Sequence, residues 1–383
     1  LNTPIENKKI AIVGGGPGGL TLARLLQMHG ADVAVYERDA GRQVRVQGAT
    51  LDLHDESGLK ALDAAGLMDA FKASYRPGAD HTRVTDKHGN IMYEDDFDSS
   101  DGHGRPEIDR GPLRDLLLDS LKPGTVVWDS NFDRLEPNES GITICLKKGS
   151  SAHADLVIAA DGANSKIRHY ITPVKARYSG YTALEGAVYN SVNNSPGVHK
   201  LLKGGKIFAF GDEKLLIVSS KGDGSLVFYT SFTAAEQWVN ESGIDFNDKA
   251  QVFAWFKEAY PSWGDIWDEL FENAVPHFIP RPLYCMPLDQ TWEALPNLTM
   301  LGDAAHLMPP YAGEGVNMAM LDALELAECL LNPAFKDTHE AISVYEDSMR
   351  QRASAMAEIT MQQTVALHAE GAIGHILDVF RGH

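Results

Sequence analysis

The stretch LGDAAHLMPPYAGEGVN, residues 301–317, sets out residue types from which a site for negative charge can be built. Asp303 follows the short apolar run LTML at 298–301, so its carboxylate would emerge at the carboxyl end of a strand. Open α/β sheets bind their ligands there. Pro309 and Pro310 would stiffen the turn that follows, and Gly313 and Gly315 would bring bare backbone N–H groups to the start of a helix over 316–330. The positive end of such a helix stabilises an anion. A reduced flavin, which carries negative charge on the N1–C2=O side of its ring, suits that place. His306 invites a role as a base, yet a packed or surface histidine is the plainer expectation.

A second stretch lies near the start of the chain. Gly14-Gly15-Gly16-Pro17-Gly18-Gly19 satisfies G-x-G-x-x-G between the strand-like run KIAIV at 9–13 and a helical pattern at 20–29. Gly14 permits the tight turn, Gly16 lets a pyrophosphate reach the backbone, and Gly19 lets the helix pack against the strand. Glu37 closes the next strand, 23 residues after Gly14, where an acid hydrogen-bonds a ribose diol. The same acid repels a 2′-phosphate, so the expected dinucleotide is FAD or NAD rather than NADP. The third stretch, Asp161-Gly162-Ala163-Asn164-Ser165-Lys166-Ile167-Arg168, follows the buried-strand pattern at 155–160. Taken alone it reads as an Asp-Gly β-turn leading into a solvated basic helix start.

These stretches need a scaffold that brings the two ends of the chain together. KIAIV, the helix and the strand at 32–36 make a βαβ unit. Between the stretch at 161–168 and the one at 301–317 the texture changes. Runs at 181–189, 206–210, 214–220 and 225–232, separated by GDE and KGDG turns, suggest an antiparallel meander. Amphipathic helices follow at 247–260 and 263–272, and from 316 onward the chain reads as helical, broken near Asn332-Pro333. The expected organisation is a nucleotide domain from 1–171 and 285–335, a sheet domain at 172–284, and a helical tail at 336–383. The chain has 383 residues, of which 44% are hydrophobic and 23% charged, ordinary for a soluble globular protein. A formal charge of −19 argues against nucleic acid or an anionic membrane as partner. Cys145, Cys285 and Cys329 form no metal-like spacing. With no signal-like or membrane-spanning run, the expectation is a cytoplasmic monomer acting on a small molecule; because the first residue is Leu, a removed leader stays open.

Taken together, the three stretches resemble the FAD-dependent aromatic hydroxylases grouped with para-hydroxybenzoate hydroxylase, the class A flavin monooxygenases. GGGPGG resembles their first FAD fingerprint, DGANSKIR their D-G-x-x-S-x-x-R motif, and LGDAAHLMPPYAGEGVN their GD motif with its flavin loop. Within that class the chain is similar to the Tet(X)-type tetracycline-inactivating monooxygenases, through VYERD at 35–39, GATLDLH at 48–54, RGPLRDLLLDSL at 110–121, WD at 128–129 and ADLVIAADG at 154–162.

The resemblance implies an α/β fold: a Rossmann-like, GR2-type FAD domain, an inserted antiparallel-sheet substrate domain and a C-terminal helix. It implies that Gly14, Gly16, Pro17, Gly18, Gly19, Glu37, Arg38, Asp52, Arg114, Asp161, Gly162, Gly302, Asp303, Gly315, Val316 and Asn317 serve the cofactor. Glu37 and Arg38 would hold its adenosine end and Asp303 its ribityl chain, while Pro310 and Gly313 would shape the oxygen site. Arg45 matches an arginine assigned to NADPH. The implied reaction is NADPH-driven reduction of FAD, NADH remaining open, and transfer of one oxygen from O2, through a flavin hydroperoxide, to an electron-rich aromatic or enolic carbon. No metal or acid–base residue is implied. The departures concern substrate: Glu185, Lys206, Ser219 and Val227 stand where that family lines its cavity with Gln, Arg, Asn and His, and Tyr311 and Glu314 stand where Phe and Gln are expected. Glu185 and Lys206 read equally well as a solvated strand face. Rival functions are a flavin reductase or oxidase of the same fold, and a protein that uses FAD only to sense.

Overall fold

The computed structural model describes residues 2–44, 48–95 and 105–381. The run KIAIV forms the strand Lys9–Val13, and its last four residues are buried. A β-branched run with no alternation suits a strand covered on both faces. It is the middle of a five-stranded parallel sheet ordered Leu298–Met300, Leu156–Ala159, Lys9–Val13, Asp32–Tyr36, Val126–Val127. The chain passes from Lys9–Val13 to its neighbour on one side and returns much later on the other. The crevice at this reversal of strand order is where such sheets bind ligands.

Two helices cross beside that crevice. Pro17–Met28 begins with proline in its first turn, where the missing N–H costs nothing. It packs against Gly315–Leu331, and the approach is close: a Cβ on Gly18 would sit 2.8 Å from Leu301 Cδ1 and 2.9 Å from the Ala319 carbonyl. Neither helix has an acidic residue in its first turn, although Glu314 stands at the N-cap of the second.

The second layer is a seven-stranded sheet ordered Ile279–Cys285, Arg177–Val188, Leu226–Thr233, Lys214–Ser220, Lys206–Gly211, Thr82–Asp86, Ile91–Glu94. The expected meander is there, and Lys214–Ser220 has the expected ends. Two of its strands, however, come from the stretch assigned by sequence to the nucleotide domain. Thr82–Asp86 adds in parallel to Lys206–Gly211 and hairpins with Ile91–Glu94. TRVTD carries one large aliphatic residue, so local patterning hardly marks it as a strand. One face of the sheet is sealed by Lys249–Ala259, Pro196–Leu202 and Asp268–Asn273, with Phe228, Phe256, Trp267 and Phe271 buried between. Phe256 and Phe271 stack with centroids 3.9 Å apart. The helix expected at 263–272 enters instead through a 3-10 turn, Asp265–Trp267.

The tail is one long helix, Thr338–Leu367, followed by Ala372–Arg381. Asp337 caps it by accepting from the Glu340 N–H at 2.9 Å. Ile342, Tyr345 and Met349 anchor it in the cofactor-side core, and Tyr345 donates to the Met300 carbonyl at 3.1 Å. The terminal helix lays Ile373, Leu377 and Phe380 against Phe208 and Tyr93 of the second sheet. Among the described residues no helix is long and apolar enough to cross a membrane, and no group of three His, Cys, Asp or Glu could hold a metal ion.

Candidate functional site

At the glycine turn, Gly14 has φ +115°, and a Cβ there would lie 2.1 Å from the Ala160 carbonyl. A Cβ on Gly19 would lie 2.2 Å from the Gly14 carbonyl. Gly16 differs: nothing lies within 4 Å of its Cβ position, so its bare backbone faces open space at the helix start. Glu37 is buried, and its two oxygens accept from Gly15 N–H at 2.6 Å and Asp39 N–H at 2.9 Å. Each oxygen keeps a lone pair for a ribose hydroxyl. Arg38, beside it, is exposed. Arg114 donates to Asp39 at 3.1 Å and lies over the Trp128 ring at 5.3 Å, while its Nη1 is buried with no partner. A buried unpaired guanidinium nitrogen is costly, and an oxygen of the cofactor would satisfy it. Arg45 lies outside the described residues.

The other two motifs meet across the sheet. Arg168 donates from Nε to the Ala304 carbonyl at 2.5 Å and from Nη2 to the Asp303 carbonyl at 2.7 Å. The stretch at 161–168 is thus more than a solvated turn, since its arginine clamps the segment that carries Asp303. Sequence reasoning named Asp161 and Gly162 but gave Arg168 no role; its place as the last residue of the motif was the available signal. Asp161 accepts from Lys166 N–H at 2.8 Å, and its Oδ1 is buried without a partner. Gly162 has φ +78°, and Gly302 has φ +60° and donates to Asp322 at 2.8 Å. Asp303 has no hydrogen-bond partner for its carboxylate among the described residues. Burial pushes its pKa up, against the opposing pull of His306, Arg110 and Arg168. His306 is packed, as the plainer expectation had it, with Nε2 held 2.5 Å from buried Asp322.

The flavin loop turns through Pro310–Ala312, with Gly313 at φ +72°. A Cβ there would stand 3.5 Å from the Asp52 carboxylate. Gly315 opens the helix with nothing within 4 Å of its Cβ position. Val316 is half-buried next to it. Asn317 is buried, and its side chain is committed to protein: Oδ1 accepts from His54 N–H at 3.0 Å and Gly58 N–H at 3.3 Å, and Nδ2 donates to the Asp52 carbonyl at 2.9 Å. Only its backbone N–H, in the helix's first turn, is left for a ligand. His54 sits between Asp52 at 3.0 Å and Glu314 at 3.2 Å. Burial alone would lower its pKa, but the two carboxylates outweigh that and lift it to about 9. His54 was missed. Asp52 and His54, two apart on an extended segment, share one side, and that spacing was the signal.

On the open face of the second sheet, register sorts the residues into rows. Lys206, Ser219 and Val227 are direct cross-strand neighbours, joined by Ala187. The adjoining row is Phe208, Ile217, Tyr229 and Glu185, and the next contains Ser231 and Leu215. The four positions suspected from sequence therefore fall in two adjacent rows on one face. Glu185 and Lys206 are not a solvated strand face. Buried Glu185 accepts from Arg281 Nε at 2.6 Å, and Lys206 is paired with buried Glu107. Ser219 and Val227 are also buried. Tyr229 accepts from Ala49 N–H at 3.1 Å, and burial, then Glu185, pushes its pKa to about 12. Tyr311 reaches from the flavin loop to Ser231, which is 2.7 Å from His368 of the tail. Sequence reasoning found neither Ser231 nor His368, since nothing local marks them.

The fit to FAD is good on the protein side: an open glycine cradle, an orphaned buried arginine nitrogen, and a carboxylate without a partner. Comparison with known proteins agrees. The family model described as FAD binding domain matches residues 7–210 and 296–360. Monooxygenase asqM of Emericella nidulans is 30% identical, covering 95% of this chain and 96% of that one. The 6-hydroxynicotinate 3-monooxygenase of Pseudomonas fluorescens is 26% identical, covering 94% and 92%. Tetracycline destructase Tet(55) shares the fold with a TM-score of 0.72 at 21% identity, covering 94% and 89%. With both halves of the cofactor crevice inside the matched segments, the chain belongs to the FAD binding domain family and is an FAD-dependent monooxygenase.

Proposed function

We propose that the protein hydroxylates an electron-rich aromatic or enolic ring, with NADPH as reductant and O2 as the oxygen source. The observation that carries this reading is the mixed wall facing the flavin loop. Phe208, Ile217 and Tyr229 form an aromatic and aliphatic row, and Lys206 and Ser219 form a polar row beside it. A flat ring with one or two heteroatoms matches such a wall better than an aliphatic or highly charged ligand does. The chemistry that bound FAD would supply is activation of O2 by the reduced ring, one oxygen atom going to the substrate and the other leaving as water.

The protein's part is binding, orientation and dryness. Gly14–Gly19 and the start of Pro17–Met28 hold the pyrophosphate, Glu37 the ribose, Arg114 a neighbouring oxygen, and Asp303 the ribityl chain. The backbone N–H groups of Gly315, Val316 and Asn317, in the first turn of Gly315–Leu331, would hold the electron-rich edge of the ring. Pro310 and Gly313 shape the space next to it, and Phe208, Ile217 and Tyr229 keep out the water that would divert the oxygen. A tetracycline is the finer substrate raised by the shared fold of Tet(55). Val227, apolar and buried, offers it no hydrogen bond.

NADPH and NADH consumption by the FAD-loaded protein, measured with 6-hydroxynicotinate, 3-amino-4-hydroxybenzoate and tetracycline, tests the proposal. Substrate-stimulated NADPH oxidation, with a product heavier by one oxygen, supports it. Stimulated oxidation that yields only hydrogen peroxide favours an oxidase, and FAD-loaded protein that oxidises neither nucleotide with any compound sinks it.

A further inference from the structure

Three helices meet on the buried pair of His306 and Asp322. Asp322, from Gly315–Leu331, is fully buried, and both of its oxygens are engaged. Oδ2 accepts from the Gly302 N–H at 2.8 Å and lies 2.5 Å from His306 Nε2. Oδ1 accepts at 2.7 Å from Nη2 of Arg352, which comes from the long tail helix Thr338–Leu367. The same arginine donates from Nη1 to both oxygens of Glu325 at 2.6 Å. One guanidinium thus serves two carboxylates. The remaining negative charge needs a second cation, because an uncompensated charge away from water is strongly destabilising. His306, 3% exposed, is the group in contact with it. A carboxylate only accepts, so Nε2 carries a proton, and a second proton on Nδ1 makes the ring the missing cation.

His306 also faces the other way. It ends the single helical turn Asp303–His306 that Asp303 begins, and residues three apart in a helix share a side. From this geometry we infer that Arg352, Asp322 and His306 form a buried chain of alternating charge that ends on Asp303 and keeps it an anion for the ribityl hydroxyls of FAD, so that the tail helix takes part in holding the cofactor. The inference rests on the placing of Asp303 against those hydroxyls. An ionised carboxylate accepts a stronger hydrogen bond than a neutral carboxyl does. His306 and Arg352 are then positioning residues that act through Asp303.

The surroundings suit each part. Burial pushes the Asp303 carboxyl up, and among the cations opposing it His306 comes before Arg110 and Arg168. Burial alone would lower His306, but Asp322 outweighs it and lifts the imidazole, with Asp303 adding. Burial would raise Asp322, yet His306 and then Arg352 hold it down. Tyr345, the other titratable group of the tail that faces Asp322, is pushed well up by burial and stays protonated. Glu325 faces Arg352 from the helix that carries Asp322. Arg168 lies across the Asp303 backbone. The alternative is a purely structural pair that closes the turn after Leu298–Met300.

Two measurements separate these. In wild-type protein labelled with 15N-histidine, His306, assigned through its backbone, should carry a proton on both ring nitrogens at about pH 7. A neutral ring there overturns the inference whatever the variants do. FAD release from the holoenzyme on dilution, read by the rise in flavin fluorescence, gives the dissociation constant. His306→Gln, which keeps a hydrogen bond to Asp322 without the charge, should raise that constant roughly 10-fold at about pH 6 and less than about twofold at about pH 9, where Asp303 ionises unaided. Arg352→Gln leaves Asp303 facing one more uncompensated negative charge, so it should shift the constant in the same direction, and Arg352→Lys should recover most of the loss. In Asp303→Asn, which has no charge to keep, adding His306→Gln should change the constant less than about twofold. An equal loss at both pH values and in both backgrounds overturns the inference in favour of the structural pair. Asp303→Asn that retains FAD as the wild type does overturns the placing of Asp303 and the inference with it. A neutral His306 beside a weakened Asp303→Asn overturns the inference alone.

Discussion

His54 Nδ1 stands 3.2 Å from Glu314 Oε1, so one ion pair ties the segment after Leu51–Asp52 to the loop that opens Gly315–Leu331. Asp52, on the imidazole's other side at 3.0 Å, makes His54 the pivot between two carboxylates at the edge of the cofactor crevice.

The pivot sets a pH dependence. His54 is lifted from 6.5 to about 9, with burial working against the lift and the hydrogen bonds to Asp52 and Glu314 prevailing. A histidine raised on folding contributes its full stability below the unfolded value and loses it as pH climbs through the folded value. Thermal melting of the holoenzyme should therefore fall between 6.5 and about 9, and His54→Gln should flatten that limb of the curve.

The Asp303 carboxylate has no hydrogen-bond partner among the described residues in exchange for its burial. Asp303→Ala should weaken FAD retention roughly 10- to 100-fold, the worth of a hydrogen bond to a charged group, while leaving the melting temperature of the apoprotein unchanged or higher. Full flavin occupancy in the purified variant would show that Asp303 does not hold the cofactor.

Two glycines of one motif should fail differently. Gly14→Ala forces a Cβ against the Ala160 carbonyl at φ +115° and should cost about 2 kcal/mol or more of stability in urea unfolding. Gly16→Ala meets open space in extended backbone, so the fold should be kept. What it should lose is FAD affinity, read by titrating the apoprotein, because the methyl stands where the pyrophosphate must approach.

Lys206 and Glu107 form a nearly buried pair, with side chains 17% and 3% exposed. Lys206→Met alone leaves Glu107 charged and unpaired and should cost about 3 kcal/mol or more. The double variant with Glu107→Leu should recover most of that loss in the same unfolding assay. A single variant as stable as the wild type would mean that the pair contributes nothing.

What could be read without coordinates follows a physical division. KIAIV forms the strand Lys9–Val13, and DVAVY at 32–36 forms the strand Asp32–Tyr36, end for end with the sequence reading. A buried parallel strand demands a continuous apolar run, and that demand is local. The glycines were legible for the same reason, since positive φ at Gly14 and Gly313 is a backbone requirement that few other residues meet. The restraint over His306 was also sound, because it is packed on Asp322.

Other features depend on which segments pair, and pairing is not local. Thr82–Asp86 joins the second sheet because Lys206–Gly211 leaves an edge for it, and TRVTD alone says little of this. The row of Lys206, Ser219 and Val227 exists only through register, where a slip of one residue would turn all three to the helix side. Composition, glycine spacing and strand pattern by themselves determined a dinucleotide-binding α/β protein and marked the residues expected at the two ends of its cofactor site. Only the tertiary structure decided that Arg168 clamps the Asp303 segment, that His54 joins Asp52 to Glu314, and that a histidine from the tail reaches a serine on the central sheet. Apart from Asp52–His54, those contacts join residues more than a hundred positions apart. They follow from packing and hydrogen-bond satisfaction, which no short window of sequence contains.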